Sequence, residues 1–580
     1  MVSSGGDVDF VHVVRECASI SLPSVFLQLA MLLPFTFSTM RLGRSDASSS
    51  DSSSDSSSDP TGSETTPPTS TSSICLSSFS ISLLLGNISS LLIVIGLLSG
   101  TDTLAPQYVV LQPQRVGILA IRGWLICAIA LVPLMSTWYI PLSGSSDGGT
   151  LIAGLLVAMN SDPRIVPFVS EFLRHYSLCL PAILSVNVLQ RFLSCQNVVL
   201  PLLVFTAITS LGLHPLLLHF YVNDDPSLSF SSNVLQKMRK TALCHAGTNW
   251  ACLVLSVLYL AKKKNAYDAR TWPGISVETL REALLDYPEV MKYLKLSVGG
   301  VLSLSEWLYW EVLTFMMSSI GVLPLSVHTI GYILTPLLFM IPMGIAIGTT
   351  VQVGKALARS SVSDARKITR WSIYASITLS IIYSGCVYVF RRNVIASYTN
   401  DPAVVEGALI IWPWVCFFFF SDALFGIQRG ILSALGKQDL MSVCVGVSLW
   451  VVGLPLAYVV VYVTKGGVLG LWQFMVVPYS LLNISMFVVW WRLVDWEEVS
   501  RKVIEEASGG KSQALDGAGA GAVGVVGGRQ QKKGGGSYYE NISLDDDVDD
   551  DDDPWSSSNT VDEDEEGGLG GYEMKAYIRG

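Results

Sequence analysis

VVLPLLVFTAITSLGLHPLLLHF, residues 198–220, runs for 23 residues without an Asp, Glu, Lys or Arg. A helix rises about 1.5 Å per residue, so roughly twenty apolar residues cross the ~30 Å hydrocarbon core of a bilayer. Apolar runs of similar length recur at 19–40, 76–98, 116–138 (with one charge, Arg122) and 468–491. Half of the 580 residues are hydrophobic, 14% are charged, and the mean hydropathy is +0.47. A soluble globular chain carries about 25% charged residues and has no use for so many runs of bilayer length. The fold class that follows is all-α: a polytopic membrane protein.

About twelve spans can be placed, centred near Ala30, Ile88, Ile126, Pro181, Phe205, Leu253, Ser305, Thr335, Leu379, Val415, Val451 and Val477. They divide the chain into an N-terminal segment (1–18), a first half of six spans (19–260), a connecting loop (261–293), a second half of six spans (294–504) and a tail (505–580). Two of the loops are long. Residues 45–73 are rich in Ser, Asp, Thr and Pro, a composition that cannot bury enough apolar area to order itself. In the connecting loop, LREALLDYPEVMKYLKL (280–296) reads as one amphipathic helix feeding the seventh span. The tail, Gly-rich and then acidic, also reads as disordered. The halves echo one another: LQRFLSCQNVVLP (189–201) and IQRGILSALGKQD (427–439) each give a Gln-Arg pair, an apolar-Ser step and a further Gln. Two six-span halves in one orientation are the parallel-repeat plan of many secondary transporters.

The net charge of −10 belongs to the appendages. From Glu505 onward there are 18 acidic and 6 basic residues, and 45–73 hold five acids and no base, which leaves the remaining body at +7. With the N-terminus inside, the inner segments hold about 20 basic residues near the membrane against about 9 outside, so both termini are expected in the cytoplasm. MVSSGGDVDF lacks the basic and apolar regions of a cleaved signal peptide, and the first span is expected to serve as the insertion signal. The ten cysteines lie in or beside apolar runs without a Cys-x-x-Cys pair, and read as buried thiols, with no metal site.

A carboxylate inside a spanning helix is expensive and functional by default. LSEWLYWEVLTFMM places Glu306 and Glu311 deep in the seventh span. Five residues make about 140° of rotation, so the two acids face different directions. A carboxylate taken out of water takes and releases a proton nearer neutral pH, and in its charged state attracts a cation. Asp422, in FFFFSDALFG, is a third intramembrane acid or the cap of a broken helix. Asp102, in GLLSGTDTLAPQ, stands between a site acid and a plain cap or loop residue. Gln28 and Gln190 read as glue between helices, with cavity lining second. Trp307, Tyr309 and Trp310 flank the acids at mid-span, where aromatics pack or hold an organic cation. No P-loop, Gly-x-Ser-x-Gly or His-Glu-x-x-His is present, so neither an ATP-driven pump nor a known hydrolase motif is indicated.

Several motifs in order resemble the multidrug and toxin extrusion (MATE) transporters of eukaryotes. RECASISLPSVFLQLAMLLPFTFSTMRLG is similar to the family's first span, GLLSGTDTLAPQ to the end of the second and SEWLYWE to the Glu-Trp…Glu signature of the seventh. MIPMGIAIGTTVQVGKAL resembles the eighth-span motif, DALFGIQRGILSALGKQ the tenth span and its exit, and VVGLPLAYVVVY and GVLGLWQF the last two spans. The likeness runs from Val13 to about Glu506 without the insert. It implies two six-helix lobes that exchange protons, or sodium in some bacterial members, for organic cations or other xenobiotics, with Glu306, Glu311 and Asp422 at the coupling and binding positions. Asp422 stands where relatives usually carry Glu. It further implies a multi-pass protein of a plasma or vacuolar-type membrane, acting as a monomer in the lipid bilayer, with no catalytic centre, no cofactor and no nucleic-acid partner. Lys355 stands where the eighth-span motif has Asn and Ala358 where it has Gly. Val109 and Val110 replace Gly-Ala after the second-span Gln and Tyr, and TALCHAGTNWACLV lacks the sixth span's Gly-x-Gly-Ala-Ala. Three other functions are compatible with a polytopic chain: a lipid-carrier flippase, a citrate-like organic-acid exporter and a non-transporting receptor. A flippase would line a lateral groove with Arg and Lys, in which these spans are poor.

Overall fold

The computed structural model describes residues 5–43, 71–140, 165–263 apart from 224 and 226, 267–398 and 402–506, with residues 150, 151 and 154 between. The chain divides into two units, Met1–Asp516 and Gly517–Gly580, the second wholly outside the described residues. So are the tail from 507 and the insert up to residue 70, and with them the expectations of disorder.

Among the described residues, eleven helices are long and apolar enough to cross a membrane. In chain order they are α1 (Ala18–Leu42), α2 (Ser78–Leu111), α3 (Arg115–Ser136), α4 (Val166–Ser194), α5 (Leu200–Tyr221) and α6 (Phe230–Lys262), then α8 (Leu323–Ala358), α9 (Val362–Val389), α10 (Pro402–Ala434), α11 (Gln438–Val463) and α12 (Gly467–Leu493). The seventh crossing, α7, is made of two helices, Tyr287–Ser303 and Ser305–Ile320, joined at Leu304. Together they supply the expected twelfth span, but the sequence pattern gave no sign of the joint. The expected amphipathic helix over 280–296 is also two helices, Val277–Leu285 and the first piece of α7, parted at Asp286. Pro288 explains this break, since a proline is readily accommodated in the first turn of a helix but obstructs the continuation of the turn before it.

Two residues interrupt the helical ladder in the same way. Leu98 in α2 (φ −76°, ψ −3°) and Leu304 in α7 (φ −80°, ψ −2°) each stand between two helical pieces. The amide of Thr101 bonds the Leu98 carbonyl at 2.9 Å, and that of Trp307 bonds the Leu304 carbonyl at 3.0 Å, a three-residue step. Each break gives the following piece a new N-terminal turn, and each such turn carries an acid: Asp102 in α2, Glu306 in α7. A helix N-terminus favours negative charge.

The apolar cores are separate. One gathers buried residues from Tyr309 to Trp496, the C-lobe, with Trp412, Trp472 and Tyr479 fully buried. Two others gather residues from the first six spans, the N-lobe, one of them joined by Tyr293 and Val351, and a small fourth joins Leu92 and Ile95 of α2 to Leu304. The first piece of α7 packs both on α2 of the N-lobe and on the start of α11, where Gly299 lies against Gln438 and Asp439, and the second packs with the C-lobe. Outward-facing side chains such as Leu200, Ile381 and Val451 remain exposed, as a helix facing lipid requires.

The lobes meet at the end of the bundle where α2, α4, α8 and α10 finish. This is the basic face, since Arg115, Lys355, Arg359 and Arg366 stand there. A Cβ on Gly300 would lie 1.9 Å from Ser99 Oγ, so α7 can cross α2 only with glycine at that position. Thr103 donates to the Ser433 carbonyl at 2.6 Å and accepts from Gln438 Nε2 at 2.5 Å, bonding α2 to the end of α10 and the start of α11. Lys355 donates to Asn197 Oδ1 at 2.7 Å, so the lysine that replaces the family's Asn spans the two lobes. Glu289 anchors the connecting segment on the same face. It accepts from Tyr108 at 2.7 Å and lies 3.6 Å from Arg115 and 3.7 Å from the buried Arg122.

Candidate functional site

Helix α7 aims its two acids at different neighbours, as the 140° between them requires. Glu306 is buried and turned toward α12, where the Tyr479 hydroxyl donates to its Oε1 at 2.5 Å. The indole of Trp310, one turn on, donates to the same oxygen at 2.9 Å and to the Tyr479 hydroxyl at 2.8 Å. Asp422 on α10 is buried and within electrostatic reach of Glu306 and Tyr479. Glu311 is half-buried and turned toward α8, where Tyr332 donates to it at 2.5 Å. Four helices thus contribute to one acidic cluster inside the C-lobe, and no ion pair to a Lys or Arg forms at these three acids among the described residues.

Aromatic rings wall this cluster. Trp310 lies 4.9 Å from Phe418, 5.8 Å from Trp472 and 6.3 Å from Tyr332, centroid to centroid. His328 stacks on Tyr332 at 6.0 Å, with Nε2 3.3 Å from the Thr314 hydroxyl. Tyr309 stands elsewhere. It is fully buried against α11 and α12, its ring 6.2 Å from Trp450 and its hydroxyl 3.9 Å from Met475 Sδ, the packing position that was one of the two roles open to it. Trp307 faces a cavity of about 130 Å³ between the lobes, together with Gln28, Met340 and the N-lobe's Asn187 and His245.

A second cavity, of about 110 Å³, lies beside it toward the basic face, and Gln28, Asp102 and Gln190 all line it. Asp102 is neither a cap nor a loop residue. The helix resumes at Ser99, and its first turn presents the Asp102 carboxylate to Arg191 Nε at 2.9 Å. Arg191 and Arg429, the second members of the two Gln-Arg pairs, line the same cavity. Both were legible as a repeat and missed as site residues. Gln428 is not part of this lining: it donates to Asn483 Oδ1 at 2.8 Å and accepts from Trp490 at 3.1 Å within the C-lobe. Tyr332, Tyr479 and His328 were missed too, since nothing in the sequence marks one Tyr among 21 as a partner of an acid more than twenty residues away. Among the described residues no three His, Cys, Asp or Glu side chains gather in a way that could hold a metal ion. No disulfide forms there either, and eight of the nine described cysteines are buried.

Twelve crossings in two lobes, with carboxylates inside one lobe and a polar cavity between the two, define a polytopic membrane transporter. The MatE family model matches residues 300–459. Multidrug and toxin extrusion protein 1 of Oryctolagus cuniculus is 24% identical over 410 residues, 70% of this chain and 66% of that protein. An uncharacterized transporter of Schizosaccharomyces pombe is 25% identical over 429 residues, 73% of this chain and 74% of that one. Among solved structures, the eukaryotic MATE transporter AtDTX14 superposes with a TM-score of 0.71 at 17% identity, covering 86% of this chain and 99% of that one. The chain is similar to the multidrug and toxin extrusion family in sequence and in fold. It spans about two thirds of the rabbit protein's length.

Proposed function

We propose that the protein is a secondary antiporter that exports small organic cations in exchange for protons, by alternating access between its two lobes. The observation that carries this reading is the acidic cluster itself. Glu306 and Asp422 interact electrostatically in a water-poor interior, and neither is neutralised by a lysine or an arginine bonded to it. Two such carboxylates share a proton or a cation between them. A proton and an organic cation then compete for one negative site, which is the simplest basis for exchange. Tyr479 and Trp310 hold Glu306 in place for either occupant, while Trp310, Phe418 and Trp472 offer ring faces to a cation. The contacts between Thr103, Ser433 and Gln438 close the basic face, and exchange requires them to part.

The test is uptake of a cationic dye into proteoliposomes under an imposed pH gradient, with a sodium gradient run in parallel. Glu306→Gln and Glu311→Gln are each expected to lower gradient-driven transport more than tenfold at unchanged reconstitution. Full transport by both variants would remove the coupling role from these acids. Transport that follows sodium rather than pH would replace the coupling ion.

A further inference from the structure

The cavity between the lobes contains a charge that the exchange reading leaves unused. Arg429 lines it from α10, and Arg191 and Asp102 line it from α4 and α2. Asp102 is engaged by Arg191 at 2.9 Å. Among the described residues, Arg429 makes neither a hydrogen bond nor an ion pair, and the charges within its electrostatic reach are Asp102, Glu306 and Arg191. Of the two carboxylates only Asp102 lines the cavity, so within that lining one carboxylate faces two guanidiniums. A guanidinium within a spanning helix that makes no direct ion pair is costly and marks a site by default. The remaining lining includes neutral polar groups, Asn187, Gln190, Ser303 and Thr350 among them.

We propose that Arg429, with Arg191 opposite it, forms a subsite for a small anionic group, above all a carboxylate, carried on the transported molecule. A guanidinium presents a planar fork of donors that matches a carboxylate's two oxygens. The cavity of about 110 Å³ is well below the roughly 300 Å³ at which drug-sized pockets begin. It takes a head group and leaves the rest of the molecule outside. Arg429 also lies within reach of Glu306, so the anionic subsite adjoins the acidic cluster of the C-lobe. The substrate class that fits both is amphoteric: a molecule with an amine-type cation for the acids and a carboxylate for Arg429. The Gln-Arg repeat supplies one arginine from each lobe, Arg191 and Arg429, so the subsite is complete only while the lobes are together, and their separation releases the anion. This proposal rests on the exchange reading for its cationic half.

The experiment uses purified full-length protein and a matched pair of dyes, rhodamine B and its ethyl ester, which share a cationic ring system and differ by one free carboxylate. Equilibrium binding in detergent, read by fluorescence polarisation, needs no gradient and is independent of coupling. Wild type is expected to bind the free acid about tenfold more tightly than the ester, and Arg429→Gln to lower the acid's affinity to that of the ester. Arg429→Lys, which keeps the charge without the fork, should retain part of the preference. Equal affinities in wild type overturn the proposal whether or not the variants fold. So does a preference that survives in Arg429→Gln. Loss of both dyes in Arg429→Gln with equal recovery of both in Arg429→Lys assigns the charge a structural role and overturns it as well. Binding preference without any gradient-driven transport of the ester would sustain the subsite and refute the exchange reading.

Discussion

Tyr309 and Trp310 are one step apart on a helix, about 100° of rotation, and that step separates packing from function. Trp310 reaches Glu306 and Tyr479, whereas Tyr309 reaches Met475 and Trp450. Hydroxyl removal at each side tests the difference. Tyr479→Phe takes a hydrogen bond from a carboxylate, an interaction worth about 1.5–3 kcal/mol, and is expected to slow transport about tenfold or more. Tyr309→Phe removes only a long contact to sulfur and should leave the rate within about twofold. Equal effects of the two, measured in the same proteoliposomes, would deny Tyr479 its place beside the proposed coupling acid. The acids themselves were readable in the sequence because a charge inside an apolar run is conspicuous. Their partners were not, because Tyr479 and Tyr332 become partners only when four helices assemble, and each by itself reads as an ordinary membrane tyrosine. Asp102 shows the converse. Its neighbours in sequence, Gly100 and Thr101, resemble a helix end, and the arginine that redefines it lies 89 positions away.

At the scale of the helix, apolar length predicted where the chain crosses and said little about where a crossing is interrupted. Leu98 and Leu304 are ordinary leucines in apolar runs, and the interruption arises where α2 and α7 press on one another. Gly96 and Gly300 sit at that contact: a Cβ on Gly96 would lie 2.6 Å from Val301 Cα, and one on Gly300 2.5 Å from the Gly96 carbonyl. Gly300→Val is expected to force the helices apart at a cost of about 1–3 kcal/mol, the usual range for overpacking, seen as a lower melting temperature of the purified protein. Gly385→Ala is the control, since its Cβ would meet nothing within 4 Å. If both variants melted alike, the close crossing would carry no weight in stability. The two-lobe plan was legible for a different reason: the Gln-Arg echo between 190 and 428 survives at the helix ends where the lobes face one another.

For the molecule as a whole, the basic face is closed by few polar contacts, and the bond between Gln438 and Thr103 joins the lobes directly. Cysteines placed at 103 and 438, with the native cysteines replaced, are expected to cross-link under oxidation and stop transport, and reduction should restore it. Undiminished transport by the cross-linked protein would show that the lobes need not part there. Closure of that face also bears on α7, whose first piece is wedged between α2 and the start of α11 and whose second lies within the C-lobe beyond Leu304. The second piece, Ser305–Ile320, is 16 residues long, about 24 Å from hinge to tip. Were the joint at Leu304 to bend, this piece would be a lever with a short arm and a long one. Glu306 sits on the short arm, about 3 Å from the pivot by helix rise. A lobe rotation of about 10° therefore carries the far end by roughly 4 Å while Glu306 shifts by only about half an ångström on the same helix rise. Tyr479 belongs to the same lobe and would turn with it, so the carboxylate would keep its hydrogen bond while the far end of the helix opens or shuts.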